Sequence, residues 1–386
     1  MRHFKNHIVL FLTSFLVFYN LVVNGQSLNF NNVMPLKAAN FQKKINEKNV
    51  DLYFLKNGDI STAITNYGGR IVSLLAPAKN GDMADVAIGF KSIDDYLKAT
   101  GIYHGALIGR VAGRINNGNL VIGDINYSLN LNAGSTQLHG GINGFHNQVW
   151  NVKSFNDTSL VLTFLSVDGE MGYPGNVKME VAYALNKKNE LSIEYKATTD
   201  KPTALNLTNH AFFNLAGEGS GSIYEHLLLI DADYICPLNI EKIAIGKNYK
   251  VASTPFDFRI EKQIGIGLGL QDKNEQLKIA GGFDHHFVLN KKRNKQMSLA
   301  ATVVDPISGR KMEVLTTEPC IHFFSANFFK GLDIGKMGKP INYRESFALE
   351  TQGYPYSSDI KTFPSIILHP KDKYETKTIY RFSIVK

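Results

Sequence analysis

Two histidines stand where an imidazole can do proton chemistry. His210 lies in "LTNHAFFNL" (207–215), between Asn209 and a row of aromatic residues, and His139 lies in "LHGG" (138–141), beside a turn. Imidazole titrates close to neutral pH, so it can give or take a proton under physiological conditions. A third stretch, "GGFDHHFVL" (281–289), sets Asp284 before His285 and His286. Such a cluster suggests a metal, but adjacent residues on a strand point to opposite faces, so both histidines do not readily reach one ion. Glu350 ends the apolar run of Phe347, Ala348 and Leu349 in a strand-like segment. Each residue also has a packing role open to it. A histidine among aromatics can be a hydrogen-bonded core residue, one in a turn can cap backbone groups, and most carboxylates lie on surfaces. Taken singly, these stretches leave chemistry and packing both open.

The elements that must position them are short extended runs divided by turns. "VDLYFL", a turn at Asn57 and Gly58, and "ISTAITNY" predict a hairpin. "VKMEVAYAL", "NKKN" and "ELSIEYKAT" predict a second, and "SLAATVV", "DPISGR" and "KMEVLTT" a third. Helical patterning is scarce. Its best instance is Ser92 to Lys98, with Ser92 as N-cap and acidic residues in the first turn. The 33 glycines suit many tight turns. The cluster "GIGLG" (265–269) lacks the strand-to-helix setting of a phosphate loop and reads as an ordinary loop. No linker or internal repeat interrupts the chain, so residues 26–386 read as one all-β domain.

Composition narrows the function classes. Of 386 residues, 44% are hydrophobic, which permits a large core and argues against disorder. The net charge of +8 is spread out, and its densest run, Lys291, Lys292, Arg293 and Lys295, has no aromatic interleaving. It reads as a solvated turn, and no nucleic-acid partner is expected. At the N-terminus Arg2 and Lys5 precede an apolar run from Ile8 to Val23 that ends in "VNGQS". Residues 1–25 are expected to be a secretory signal, which predicts a periplasmic or secreted protein. Thr13, Ser14 and Asn20 interrupt that run below the roughly 18 apolar residues of a membrane span, so no stable membrane insertion is expected after signal removal. The two cysteines, Cys236 and Cys320, make no disulfide framework, and whether they pair stays open.

Several blocks together resemble the aldose 1-epimerase, or galactose mutarotase, family. They are "GRVAGRI" (109–115), "LHGGINGFHNQVW" (138–150), "DGEMGYPGN" (168–176), "LTNHAFFNLAG" (207–217), "STPFDFR" (253–259), "GGFDHHFVL" (281–289), "TEPCIHFFSANFF" (317–329), "ALETQGYP" (348–355) and "FPSIILHPKDKYETKTIYRF" (363–382). Each is weakly specific, but their order and spacing span nearly the whole mature chain. The resemblance implies a large all-β sandwich (a supersandwich) whose cleft binds a free aldose and interconverts its α and β anomers without a cofactor or metal. It assigns His210 as general acid and Glu350 as general base. Arg114, His139 and Asp284 match the sugar-contacting positions.

Departures from the pattern bear on sugar preference. Gly113 stands where many relatives have asparagine, His322 where the family often has glutamine, and Cys320 where it often has glycine. His322 is therefore expected to contact the sugar in place of that glutamine. "YSSDIKTFPS" replaces the family's usual continuation after "ETQGYP". The competing expectations are a non-catalytic sugar-binding protein and a same-fold enzyme acting on sugar phosphates or polysaccharides. The preferred sugar and the oligomeric state are left open.

Overall fold

β-Branched and aromatic runs separated by glycine turns favour strands joined through tight hairpins. The computed structural model describes residues 36–356, 358 and 360–385, and the expected signal segment 1–25 lies outside them. All three expected hairpins form. Leu52–Asn57 pairs with Ile60–Thr65 around Gly58, whose φ of +66° suits glycine. Val177–Asn186 pairs with Glu190–Thr199, and Ser298–Val304 with Arg310–Thr316. Ser92 caps the helix Ile93–Lys98, its hydroxyl accepting from the Asp95 N–H at 3.2 Å. The basic run is a largely exposed turn from which Lys291 folds back, donating to the Thr316 carbonyl at 2.7 Å.

One expectation is corrected. The glycine cluster read as a loop contributes to a short helix, Ile264–Leu268. Glycine is a poor helix former, which is why the stretch reads as a loop. Here close packing selects it: a Cβ on Gly267 would meet the Phe283 ring at 2.5 Å, and one on Gly265 would meet Tyr224 at 2.9 Å. The helix lies on aromatic surface that only glycine lets it approach.

Two antiparallel sheets face each other. The nine-stranded sheet runs from the Asn151–Asn156 edge through Val177–Asn186, Tyr374–Ile384 and Ser298–Val304 to the short Lys262–Gln263 edge. The six-stranded sheet has the order Phe212–Phe213, Phe347–Gln352, Cys320–Phe324, Asp284–Leu289, Ala232–Cys236 and Tyr249–Lys250. One apolar core joins Leu162, Val181, Ile193 and Tyr380 of the first sheet to Phe287, Phe323 and Leu349 of the second. This is the expected β-sandwich.

Burial patterns place the working face. Val177–Asn186 alternates buried with more exposed residues, as a strand covered on one side does. Phe347–Gln352 is buried along its whole length, so both of its faces are enclosed. Phe347 and Leu349 join the core between the sheets, while Glu350 points the other way and lines a cleft. The two cysteines are buried and free, on strands separated by Asp284–Leu289. Among the described residues no helix is long and apolar enough to cross a membrane.

Candidate active site

Six residues singled out in the sequence, Arg114, His139, His210, Asp284, His322 and Glu350, line one cavity of about 570 Å³. Three of them come from adjacent strands of the six-stranded sheet. His286 pairs with His322 and His322 with Glu350, directly opposite across the ladder. Residues so opposed share a face, with Cβ atoms about 4.5–5.5 Å apart. The period of two puts Asp284 on that same face and turns His285 away, where its ring packs against Phe256.

His210 reaches the cleft from the strand Thr208–His210, paired with Ala106–Ile108. Its carbonyl accepts from the Gly105 N–H at 3.0 Å. Asn209 locks the approach, donating to the Gly105 carbonyl at 2.8 Å and accepting from the Ala211 N–H at 3.0 Å. His139 sits in the left-handed region, at φ +53°. The Gly113 N–H donates to its Nδ1 at 3.2 Å, and its own N–H donates to the Gly113 carbonyl at 3.0 Å. Behind it Gly140 must be glycine, because a Cβ there would fall 1.8 Å from the Gly109 carbonyl oxygen.

The two arginines of "GRVAGR" divide their roles. Arg110 is buried and donates to six acceptors, including Ser166 Oγ at 2.8 Å and the carbonyls of Pro174 and Gly175, each at 2.8 Å. It ties down the "DGEMGYPGN" turn, no residue of which lines the cleft. Arg114 has only a long contact to Thr136 Oγ1 at 3.4 Å and forms no ion pair among the described residues. Its guanidinium is left for a ligand.

Electrostatics centre on a buried pair. His210 Nε2 stands 3.4 Å from Glu350 Oε1, with the side chains 6% and 2% exposed. Burial, helped by the charge of His322, pushes His210 down to about 3. Burial pushes Glu350 up to about 7, with His322 opposing and Asp284 assisting. Burial thus favours the neutral form of each, an uncharged imidazole beside a protonated carboxyl. Burial also lowers His139 well below its ordinary value, the charges of His210 and Arg114 adding to it. Ligand atoms of His139, His210 and Glu350 all lie within 4.8 Å of one another. Beside them His322 Nε2 meets Asp284 Oδ1 at 2.9 Å. Aromatic rings wall the pocket: Tyr103 stacks against His210 at 5.9 Å and meets His139 edge-on at 4.7 Å.

A buried imidazole and carboxylate in contact, within a cleft lined by polar groups, suit paired proton transfer on a small polyol. Comparison with known proteins agrees: the family model described as aldose 1-epimerase matches residues 51–381. The chain belongs to the aldose 1-epimerase family. It is 38% identical over 336 residues to galactose mutarotase of Mus musculus, covering 87% of this chain and 94% of that one. To the aldose 1-epimerase of Escherichia coli (strain K12) it is 33% identical over 328 residues, covering 84% and 93%. The solved structure of an aldose epimerase homologue from C. elegans matches with a TM-score of 0.80 at 30% identity, over 87% of this chain and 100% of that chain. Galactose 1-epimerase from Lactobacillus acidophilus NCFM matches at 0.76 and 27%, over 89% and 97%. This epimerase is accordingly an isomerase that interconverts the anomers of free aldoses.

Two further residues of the epimerase's cleft carry little signal in the sequence. His286 and its neighbour His285 make a poor metal pair, yet the same alternation that separates those two puts His286 on the face of Asp284. Tyr103, in "GIYHG", carries no signal beyond its type, and only folding brings it against His139 and His210.

Proposed function

We propose that the enzyme interconverts the α and β anomers of galactose, glucose and related hexoses, with Glu350 as general base and His210 as general acid. The carrying observation is the buried 3.4 Å contact of His210 with Glu350 in a cleft lined by Arg114, His139, Asp284 and His322. Opening a pyranose requires taking the anomeric hydroxyl proton while protonating the ring oxygen. Glu350 accepts the first proton as the C1–O1 carbonyl forms and the C1–O5 bond breaks. O5 keeps that electron pair and takes a proton from His210. Rotation about C1–C2 presents the other carbonyl face, O5 attacks, and both protons return. Each such transfer typically contributes about 10²- to 10⁴-fold. The reaction written this way consumes no redox equivalent and requires no metal.

The proton on Glu350 must move before the step begins. An anomeric hydroxyl that donates to the carboxylate favours its ionised form, which leaves the proton of the pair to His210. Arg114, His139 and Asp284 are assigned to the remaining hydroxyls, so deoxy sugars should be poor substrates, their absent groups leaving buried partners unpaired. His322, expected from its sequence position to contact the sugar, instead has both ring nitrogens engaged by His286 and Asp284. Tyr103 offers the apolar edge of a sugar ring a matching surface. A non-catalytic binding protein is not favoured, since both proton-transfer groups are present and in contact.

The N-terminal sequence supports an extracytoplasmic place for this activity, with a mature chain beginning near Gln26 and forming one catalytic domain. Intact-mass measurement of the exported protein tests this part. Polarimetry of freshly dissolved α-galactose, α-glucose and α-xylose, with and without enzyme, tests the activity. Acceleration of none of the three would end the reading.

A further inference from the structure

His322 Nδ1 lies 3.1 Å from His286 Nδ1, a separation that requires a single proton between the two nitrogens. Two lone pairs would repel at that distance, and two N–H groups would collide. The other nitrogen of His322 faces the Asp284 carboxylate at 2.9 Å and donates to it. Two protonation patterns satisfy both contacts. In one, His322 is neutral and His286 donates to it. In the other, His322 carries both protons and donates to a neutral His286, whose Nε2 then bears the hydrogen.

The surroundings choose between them. Nε2 of His286 and Oε1 of Gln352 are both buried without a hydrogen-bond partner. Gln352 is a polar neighbour that favours a proton on the His286 ring. The second pattern puts a hydrogen on Nε2 beside Gln352 and keeps the positive charge on His322, the ring that meets the Asp284 carboxylate, whereas a charged His286 donating to a neutral His322 would hold that charge away from it. The opposite ladder neighbour of His322 is Glu350.

We propose that His286 is a positioning residue for the reaction: through one proton shared between its Nδ1 and that of His322, it holds His322 as an imidazolium facing Glu350. The proposal rests on the reading of Glu350 as the base. Its consequence is electrostatic, since a fixed positive charge beside a buried carboxylate offsets part of the desolvation that opposes its ionisation. The base is thereby kept near neutrality, where it is most effective.

The groups around this pair are Asp284 on the strand of His286, His285 on the opposite face of that strand, Glu350 on the strand beyond His322, Arg114, His139 and His210 across the cleft, and Lys242 at its edge. Burial works against a charged His322, but the hydrogen bond and charge of Asp284, with Glu350 adding, outweigh it and raise its pKa. Burial and the charge of His322 drive His286 well down, as the neutral member of the pair.

The test combines a pH profile with nitrogen NMR. In His286→Leu, the limb of kcat/KM nearest pH 7 is expected to move upward by about one pH unit, the effect of losing one adjacent charge. His286→Asn, whose amide oxygen can accept from His322, is expected to stay close to wild type. His322→Gln should shift the limb as His286→Leu does, and adding His286→Leu to it should shift it no further. In wild-type enzyme at pH 7, ¹⁵N NMR is expected to find both nitrogens of His322 protonated. A neutral His322 in that spectrum overturns the proposal even if no His286 variant folds. So does a His286→Leu shift that persists undiminished in the His322→Gln background. Full turnover in Glu350→Gln would instead remove the base assignment and leave the NMR result standing.

Discussion

His210 and Glu350 stand side by side inside the protein, imidazole nitrogen to carboxylate oxygen at 3.4 Å, yet neither is charged by preference. The cost of burial falls on whichever form is ionised, lowering the histidine and raising the carboxyl. A packing pair would gain nothing from this opposition. An acid and base that exchange protons with a substrate gain two groups whose protonation is easily reversed.

If they act as that pair, His210→Asn and Glu350→Gln should each fold and bind sugar, while turnover falls by about 10²-fold or more. The double variant should lose far less than the product of the two. Polarimetry and melting temperature on the same preparation decide the matter: a stable His210→Asn enzyme with near wild-type turnover would make the histidine a packing residue.

The pH dependence has a defined sign. Glu350 is raised to about 7 and His210 lowered to about 3, so the singly protonated pair that the reaction uses is the main form between those values. The free enzyme should lose kcat/KM as pH rises through about 7 and the last proton of the pair leaves. It should hold its value well below pH 6. Initial-rate polarimetry from pH 4 to 9, corrected for buffer catalysis, measures the limb near 7, and a fall centred near 5 on the acid side would contradict the assignment.

The two arginines should separate cleanly. Arg110→Ala leaves several carbonyls of the 166–175 segment buried without their donor, a loss of about 3 kcal/mol or more that should lower the melting temperature by several degrees. Arg114→Ala removes only a 3.4 Å contact to Thr136, so stability should change little. Its kcat/KM should drop about 10-fold or more if the guanidinium holds a sugar hydroxyl. Calorimetry and kinetics that gave both variants the same profile would refute this division.

Acid should destabilise the fold through its histidines. Burial is the first cause lowering His104, His139, His146, His210, His226, His285 and His286. An unfolded chain protonates these near 6.5 and the folded one resists, so stability present above 6.5 is lost as pH falls toward about 3. The carboxyls raised by burial, Asp85, Glu170, Glu318 and Glu350, act in the opposite sense but are fewer. Scanning calorimetry at pH 7 and pH 5 should find the lower melting temperature at pH 5.

Much of this was legible in the sequence because it depends on local pattern. Alternation and turn chemistry are properties of a few consecutive residues, which is why the Leu52–Thr65 and Val177–Thr199 hairpins and the Ser92 cap could be read directly. The motif series likewise named Arg114, His139, His210, Asp284, His322 and Glu350, and all six meet in one cavity. The Gly265–Gly269 stretch misled because its helix is stabilised by aromatic surfaces distant in the chain. Tertiary structure alone decided which arginine of "GRVAGR" is locked to carbonyls and which is free, where the proton of the His210 and Glu350 pair rests, and that His286 faces His322. These follow from cross-strand register and from desolvation. Both are set by residues that meet only when the sheets close, and no stretch of sequence contains them.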